Sequence, residues 1–408
     1  GERPTQNLAA YDAFLKGRQL CRNVTCDDPS VARKALGFFE QAVALDPGFA
    51  QSWAEVSTIS SNLYVTSSPT PEVAERSREA AEKAVELAPN RPEGYIARGY
   101  HRNLVLNDPP GAQADYERAF GLGAADAELL MFRASVDRDL GRWEEARAAL
   151  AQAERLDPRG TAPKTMIAIA ALYQRNYVEA RRAADAALAI SPANMTLILL
   201  KAETFLGQGD LAGARAVLAA APGQVEPAAL AAFTAMISDL DWVLDEKLRA
   251  VLLRLTPAAF DNDRAVWAIC LAQASYHGGD AAAARRYAEE ARKGFEEQIR
   301  TSPENPTLRS NLGLALAYLG RGDEAIREGE RGVALRPIAR DAFYGPYMLQ
   351  LLARIYVLVG EPEKAIDIIE HLLRIPYDVV SPGFLRIDPN YAPLRGNPRF
   401  QRLAGLNG

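Results

Sequence analysis

Three cysteines, three histidines and five methionines in 408 residues leave little with which to build a metal or redox centre. His101, His277 and His371 lie far apart, with no Cys, Asp or Glu at ligand spacing beside them, and read as satisfied helix-surface residues. There is no Gly-x-Ser-x-Gly, no phosphate loop and no pair of carboxylates in a plausible cleft, so the expectation is no catalytic residue, no cofactor and no metal. No run of 18 apolar residues occurs, which excludes a membrane-spanning helix and with it direct membrane insertion. A net charge of −5 with Arg and Glu interleaved, as in Arg285, Arg286, Glu289, Glu290 and Arg292, gives solvated helix faces rather than a basic stripe, and nucleic-acid binding is not expected. No Ser/Gly-rich linker or composition break divides the chain, and 48% hydrophobic with 24% charged residues places it among folded proteins.

What the chain does have is a period. Ala146, Leu150, Ala153 and Pro158 are repeated by Ala180, Ala184, Ala187 and Pro192, 34 residues on. A segment of that length holds two amphipathic helices and a tight turn, which bury their apolar faces only when stacked on like neighbours. The small residues let helices approach, the larger one fills the gap between repeats, and Pro stops the second helix.

This pattern resembles the tetratricopeptide repeat. Ala35, Phe39, Ala42 and Pro47 match the second helix of a first repeat, and Leu312, Gly313, Ala325 and Pro337 match a late one. Gly329 and Gly332 depart from it and predict a soft second helix, since each Gly costs about 1 kcal/mol against Ala. The resemblance implies an all-α, right-handed superhelical solenoid of about ten helical hairpins over residues 1–376. Residues 126–221 are the most regular, 227–257 are degenerate, and an irregular cap covers 377–408. That tail carries Tyr377, Phe384, Leu385, Tyr391, Leu394 and Phe400 but also Pro382, Pro389, Pro393 and Pro398, so it is not one helix. It either covers the apolar end of the last repeat or enters the groove.

The two ends carry a narrower likeness. Asn7 to Arg18, Phe384-Leu385-Arg386-Ile387-Asp388-Pro389, Pro393-Leu394-Arg395 and Pro398-Arg399-Phe400 are similar to the C-terminal repeat regions of bacterial signalling proteins. There such a region follows a class III nucleotide cyclase, a serine/threonine kinase or a winged-helix transcriptional regulator, commonly with a membrane segment between. The resemblance implies a sensory or docking module of a bacterial protein, with an extracytoplasmic position slightly preferred. The start at Gly1-Glu2-Arg3-Pro4 without Met suggests an excised domain or a processed product.

Several motifs that imitate sites read as structure. Gly207-Gln208-Gly209-Asp210 and Gly320-Arg321-Gly322-Asp323 fall between the two helices of a repeat, where Gly supplies positive φ and Asp caps the next helix, not after a strand as a dinucleotide fingerprint requires. Asp239, Asp241 and Asp245 lack the Gly and distal Glu of a calcium loop and are expected to cap a helix. Cys21 and Cys26 are close enough for a disulfide, whereas Cys270 is alone on an apolar face.

Function then rests on the concave groove, which in this repeat family is lined by the first helix of each hairpin. The corresponding positions give Tyr100, Arg138, Tyr173, Glu203, Gln273, Tyr276, Tyr318, Tyr347 and Arg354 as candidate partner-binding residues. Tyr with a polar tip suits an extended peptide or a helix, and Arg and Gln suit its backbone or carboxylates. Several of these Tyr could equally pack between neighbouring first helices. The chaperone-binding carboxylate clamp is disfavoured, because Thr165, Ile169 and Leu199 stand where it needs Lys, Asn and Arg. The expected function is non-catalytic binding of a protein or peptide, with homo-oligomerisation left open. The alternative is a small-molecule sensor with a pocket near Trp242 and Trp267, and an enzyme is the remote third.

Overall fold

A computed structural model of the chain describes residues 5–21, 29–66, 70–237 and 239–406. They fold as helical hairpins in two units, residues 1–158 and 159–408, and no strand occurs among the described residues. The first unit holds four hairpins: α1 (Leu8–Leu20) with α2 (Pro29–Leu45), α3 (Ala50–Thr66) with α4 (Pro71–Leu87), α5 (Pro92–Leu104) with α6 (Pro109–Gly121), and α7 (Ala127–Asp139) with α8 (Trp143–Leu156). The second begins with α9 (Thr161–Tyr173) and α10 (Tyr177–Leu188), then α11 (Met195–Gln208) and α12 (Leu211–Ala219). It continues with α13 (Pro227–Met236) and α14 (Glu246–Leu252), α15 (Arg264–His277) and α16 (Ala281–Thr301), α17 (Pro306–Tyr318) and α18 (Gly322–Leu335), and α19 (Gly345–Val359) and α20 (Pro362–Arg374). The short helices α21 (Pro382–Ile387) and α22 (Pro398–Leu403) end the chain.

Local chemistry starts and stops these helices. Asn7, Asp126, Asn194, Asp263, Asp280 and Asn305 each accept a backbone N–H of the following first turn, and Pro opens α4, α5, α13, α17 and α20. Successive repeats are tied by a recurring bond. Trp53 Nε1, Tyr95 Oη and Arg309 Nε donate to the carbonyls of Pro47, Pro89 and Pro303, each six residues earlier, at 3.0, 3.0 and 3.1 Å. The Pro that terminates one repeat therefore supplies the acceptor that seats the next.

Gly329 and Gly332, expected to soften their helix, have a packing reason. Helix α18 runs unbroken, and both glycines are buried, Gly332 against α17 and Gly329 against α19. A Cβ on Gly332 would lie 2.1 Å from Ser310 Oγ, and one on Gly329 would lie 2.8 Å from Ile355 Cδ1. Close approach, not flexibility, explains them.

The weakest repeat is short, with ten residues in α13 and seven in α14, and between them lies a 3-10 turn, Asp241–Val243. Asp245 caps α14 by accepting Leu248 N–H at 2.8 Å, as expected. Asp239 and Asp241 do not cap a helix; their carboxylates turn into the second unit. Among the turns, Gly209 takes φ +85° and Asp210 caps α12, whereas Asp323 lies inside α18.

Candidate functional site

The second unit closes on itself, and the residue that closes it is Arg175. Between the two helices of a hairpin the chain must visit the left-handed region, and Gly141, Gly209, Gly320 and Gly360 do so with φ of +74° to +85°. In the hairpin of α9 and α10 the same conformation, φ +57°, falls to Arg175. A side chain there costs about 1 kcal/mol or more. The guanidinium donates to the carbonyls of Leu372 (2.9 Å), Leu373 (3.2 Å) and Val380 (3.0 and 3.1 Å), joining α9 to the end of α20 and the tail. Burial holds its pKa below the ordinary value.

From there the tail runs along the C-terminal ends of the first helices. Ser381 Oγ donates to the Gly207 carbonyl at the end of α11 (2.7 Å), and Gly383 fits against Gly207 and Gly209 where any Cβ would collide with backbone at 2.4 Å. Phe384 meets Trp242 edge-on, ring centroids 5.6 Å apart. Tyr377, Phe384, Leu385, Tyr391, Leu394 and Phe400 are all buried to 1% exposure or less. Arg399 reaches back to Asp367 (2.6 Å) and Glu370 on α20. The tail therefore covers the last hairpin and also lies against first helices.

At the centre is a buried polar cluster built from four elements. Asp239, at φ +54°, accepts from Gln273 Nε2 of α15 (2.9 Å) and Tyr347 Oη of α19 (3.0 Å) and pairs with Arg354 Nη1 (2.9 Å). Arg354, 1% exposed, also donates to Gln273 Oε1. Alongside, Asp241 lies 2.7 Å from His277 Nδ1 at the end of α15, and His277 Nε2 faces Asn390 Oδ1 of the tail at 3.3 Å. Asn390 Nδ2 donates to Asp388 Oδ1 (2.9 Å). Burial works against a charged His277, but the Asp241 carboxylate outweighs it and holds the imidazole pKa above its usual value. Burial likewise pushes the Asp388 carboxyl up.

The sequence candidates are distributed as follows. Gln273, Tyr347 and Arg354 meet at Asp239. Tyr276, 40% exposed, packs on Tyr318, which is buried, with centroids 5.1 Å apart. Tyr173 is buried, stacked on Phe343 at 4.6 Å and edge-on to Tyr377 at 6.0 Å. Glu203 is buried on α11. In the first unit, Tyr100 is buried against Phe132 (4.7 Å), and half-buried Arg138 pairs with Asp139 (2.8 Å). Near the aromatic pair proposed for a pocket, Trp242 is 8% exposed beneath Phe384, and Trp267 donates to the Leu255 carbonyl (2.8 Å) and packs on Tyr287. Cys21 is buried, and Cys26 lies outside the described residues.

Two histidines expected on helix surfaces are buried instead: His277, and His101, which is 3% exposed. His101 Nδ1 lies 3.0 Å from Ser77 Oγ, itself 2.6 Å from Ser61 Oγ. Such a Ser-His contact has the composition of a nucleophile and its base, but Ser77 and Ser61 have no exposed surface, so no substrate reaches them. No group of three or more His, Cys, Asp or Glu able to hold a metal occurs among the described residues. No described helix is long and apolar enough to cross a membrane. Sequence reasoning missed Arg175, Asp239, His277 and Asn390. Arg175 alone was signalled, since it stands where other turns have Gly.

The hairpins, their packing and their turns define an all-α repeat protein, and comparison with known families agrees. Profiles of the tetratricopeptide repeat match residues 103–161 and 271–342, 171–237, and 349–379. The chain is a tetratricopeptide-repeat protein. A TPR repeat-containing thioredoxin of Arabidopsis thaliana, TTL4, is 39% identical over 71 residues, 17% of this chain and 10% of that protein, so the match spans about a tenth of that relative's length. The human IFIT1 dimer with m7Gppp-AAAA superposes with a TM-score of 0.50 at 16% identity, covering 80% of this chain and 72% of that one. PilW, a type IV pilus biogenesis factor, gives a TM-score of 0.42 at 16% identity over 52% of this chain and 92% of its own. At such identities the likeness is one of fold.

Proposed function

We propose that the protein is a non-catalytic interaction scaffold that takes an extended peptide or a partner protein on the first helices of residues 1–158, while residues 159–408 form a self-closed companion unit. The repeat fold supports a protein-interaction role. The observation that carries the finer reading is the difference between the two sets of first helices. In the second unit their ends are covered by the chain's own tail, with Ser381 on α11, Phe384 on Trp242 and Asn390 on α15. In the first unit Arg18 keeps 45% of its side-chain surface, and Met131, Ser135 and Arg138 stay partly exposed. Tyr100 then supports that face from beneath instead of touching the partner, and Tyr276 is the remaining exposed candidate of the second unit. The resemblance of the end motifs suits the interaction arm of a larger bacterial signalling protein; within this chain Phe384, Asp388, Leu394 and Phe400 are buried.

The test is to select peptides from a random library on the intact protein and measure their affinity for variants. Met131→Glu and Arg138→Ala are expected to weaken binding at least tenfold, and Tyr276→Ala to leave it unchanged. The opposite pattern would place binding in the second unit and overturn the proposal.

A further inference from the structure

With the Asn390 amide oriented as it is, the contact between the tail and the end of α15 is fully satisfied by one charge state of His277. Nδ1 faces Asp241 Oδ2 at 2.7 Å and must carry a proton to bond to it. On the other side Nε2 faces Asn390 Oδ1 at 3.3 Å, an acceptor. The Asn390 amide is held in that orientation by its own Nδ2–H, which donates to Asp388 Oδ1 at 2.9 Å; turning it over would set amide oxygen against carboxylate. A neutral imidazole has one N–H and loses either the bond to Asp241 or the bond to the tail. The imidazolium makes both.

Charge balance points the same way. The groups that face His277 are Asp241 from the 3-10 turn, Arg354 from α19, and Asp388 with Asn390 from the tail; Asp239 lies against Arg354. Without the imidazolium, three buried carboxylates share one guanidinium. With it, two cations are enclosed with them, and all are nearly removed from water: Asp239, Asp241 and Asp388 are at most 6% exposed. Neighbouring Tyr276 packs on the ring at 5.8 Å without offering a charge.

We propose that the tail is a proton-operated clasp, in which imidazolium His277 fastens the segment around Asn390 to α15 and loss of the proton loosens it. The sign follows from linkage. Asp241 keeps its contact whether or not the tail is docked, so the part linked to docking is what Asn390 and Asp388 add: that contribution is complete below the value His277 holds with the tail undocked and is lost as pH rises through the docked one. The clasp thus tightens in mild acid and slackens in mild alkali, loosening the segment around Asn390 where it covers the end of α15. This inference stands apart from the peptide-binding reading, since it concerns residues 159–408 alone.

The experiment uses the intact protein with 15N-labelled histidine. At pH 6.5 both ring nitrogens of His277 are expected in the protonated state, with the proton lost only at higher pH. In parallel, opening constants for the amides of residues 377–394 are measured by hydrogen exchange, corrected for intrinsic rates, at pH 6 and pH 9. They are expected to rise about tenfold for each unit by which docking raises the histidine value. Asn390→Ala, which leaves the Asp241 contact in place, is expected to flatten that rise. A neutral ring at pH 6.5, or opening constants that do not change with pH in the wild-type protein, would overturn the proposal, and both are read without any variant.

Discussion

At the scale of single residues, the second unit spends strain and buried charge where its chain closes. Arg175 and Asp239 both sit at positive φ without being Gly, and both use the resulting direction to reach groups far along the sequence. Backbone strain persists where the surroundings over-determine it. Removing one partner of the Asp239–Arg354 pair leaves the other charge buried and alone, so Asp239→Asn is expected to cost about 3–5 kcal/mol in urea unfolding. Adding Arg354→Met to that variant should cost less than the sum of the two single changes, because they share one interaction. Gly332→Ala shows the opposite balance of local and tertiary forces. Helix propensity favours Ala by about 1 kcal/mol, but the added methyl would collide with Ser310 Oγ and the Pro306 carbonyl, and the expected net outcome is a loss of about 1–3 kcal/mol. A variant as stable as the parent would return Gly332 to the role of a merely tolerated defect.

At the scale of elements, the sequence makes the hairpins readable because their determinants are local: N-caps, Pro at first-turn positions, and small residues at fixed spacing. The loss of that spacing at 227–257 coincides with the short helices α13 and α14. What surrounds Asp239 was not visible. Its partners Gln273, Tyr347 and Arg354 stand 34, 108 and 115 positions away, and no period links them. Asp239 and Asp241 looked like caps because a cap needs only the next three residues, whereas a buried pair needs the fold. His277 was misread for a related reason, since a helix-end histidine is ordinarily exposed and the tail that covers it comes 113 residues later. The loop between α1 and α2 offers a separate check. If Cys21 and Cys26 are joined, the unfolded, unreduced protein should titrate a single thiol, that of Cys270, against three after reduction; three before reduction would refute the pairing.

At the scale of the whole molecule, the same repeat is proposed to serve two purposes in one chain. In residues 159–408 the chain's own Pro-punctuated tail covers the ends of α11 and α15, and of the aromatic residues that suggested a peptide groove Tyr173 packs on it, while Tyr347 joins the buried cluster at Asp239. Six tail side chains at 1% exposure or less contribute on the order of 10 kcal/mol by area, so the tail is part of the unit's core and a pH change loosens it locally without releasing it. The proposed partner site on residues 1–158 is what the next measurement tests. The most direct measurement is a hydrogen-exchange footprint of a library-selected peptide on the intact protein. New protection confined to α1, α3, α5 and α7 is the predicted result; protection on α11, α15 and α19 with deprotection of residues 377–394 would mean that the peptide displaces the tail, and would contradict the account.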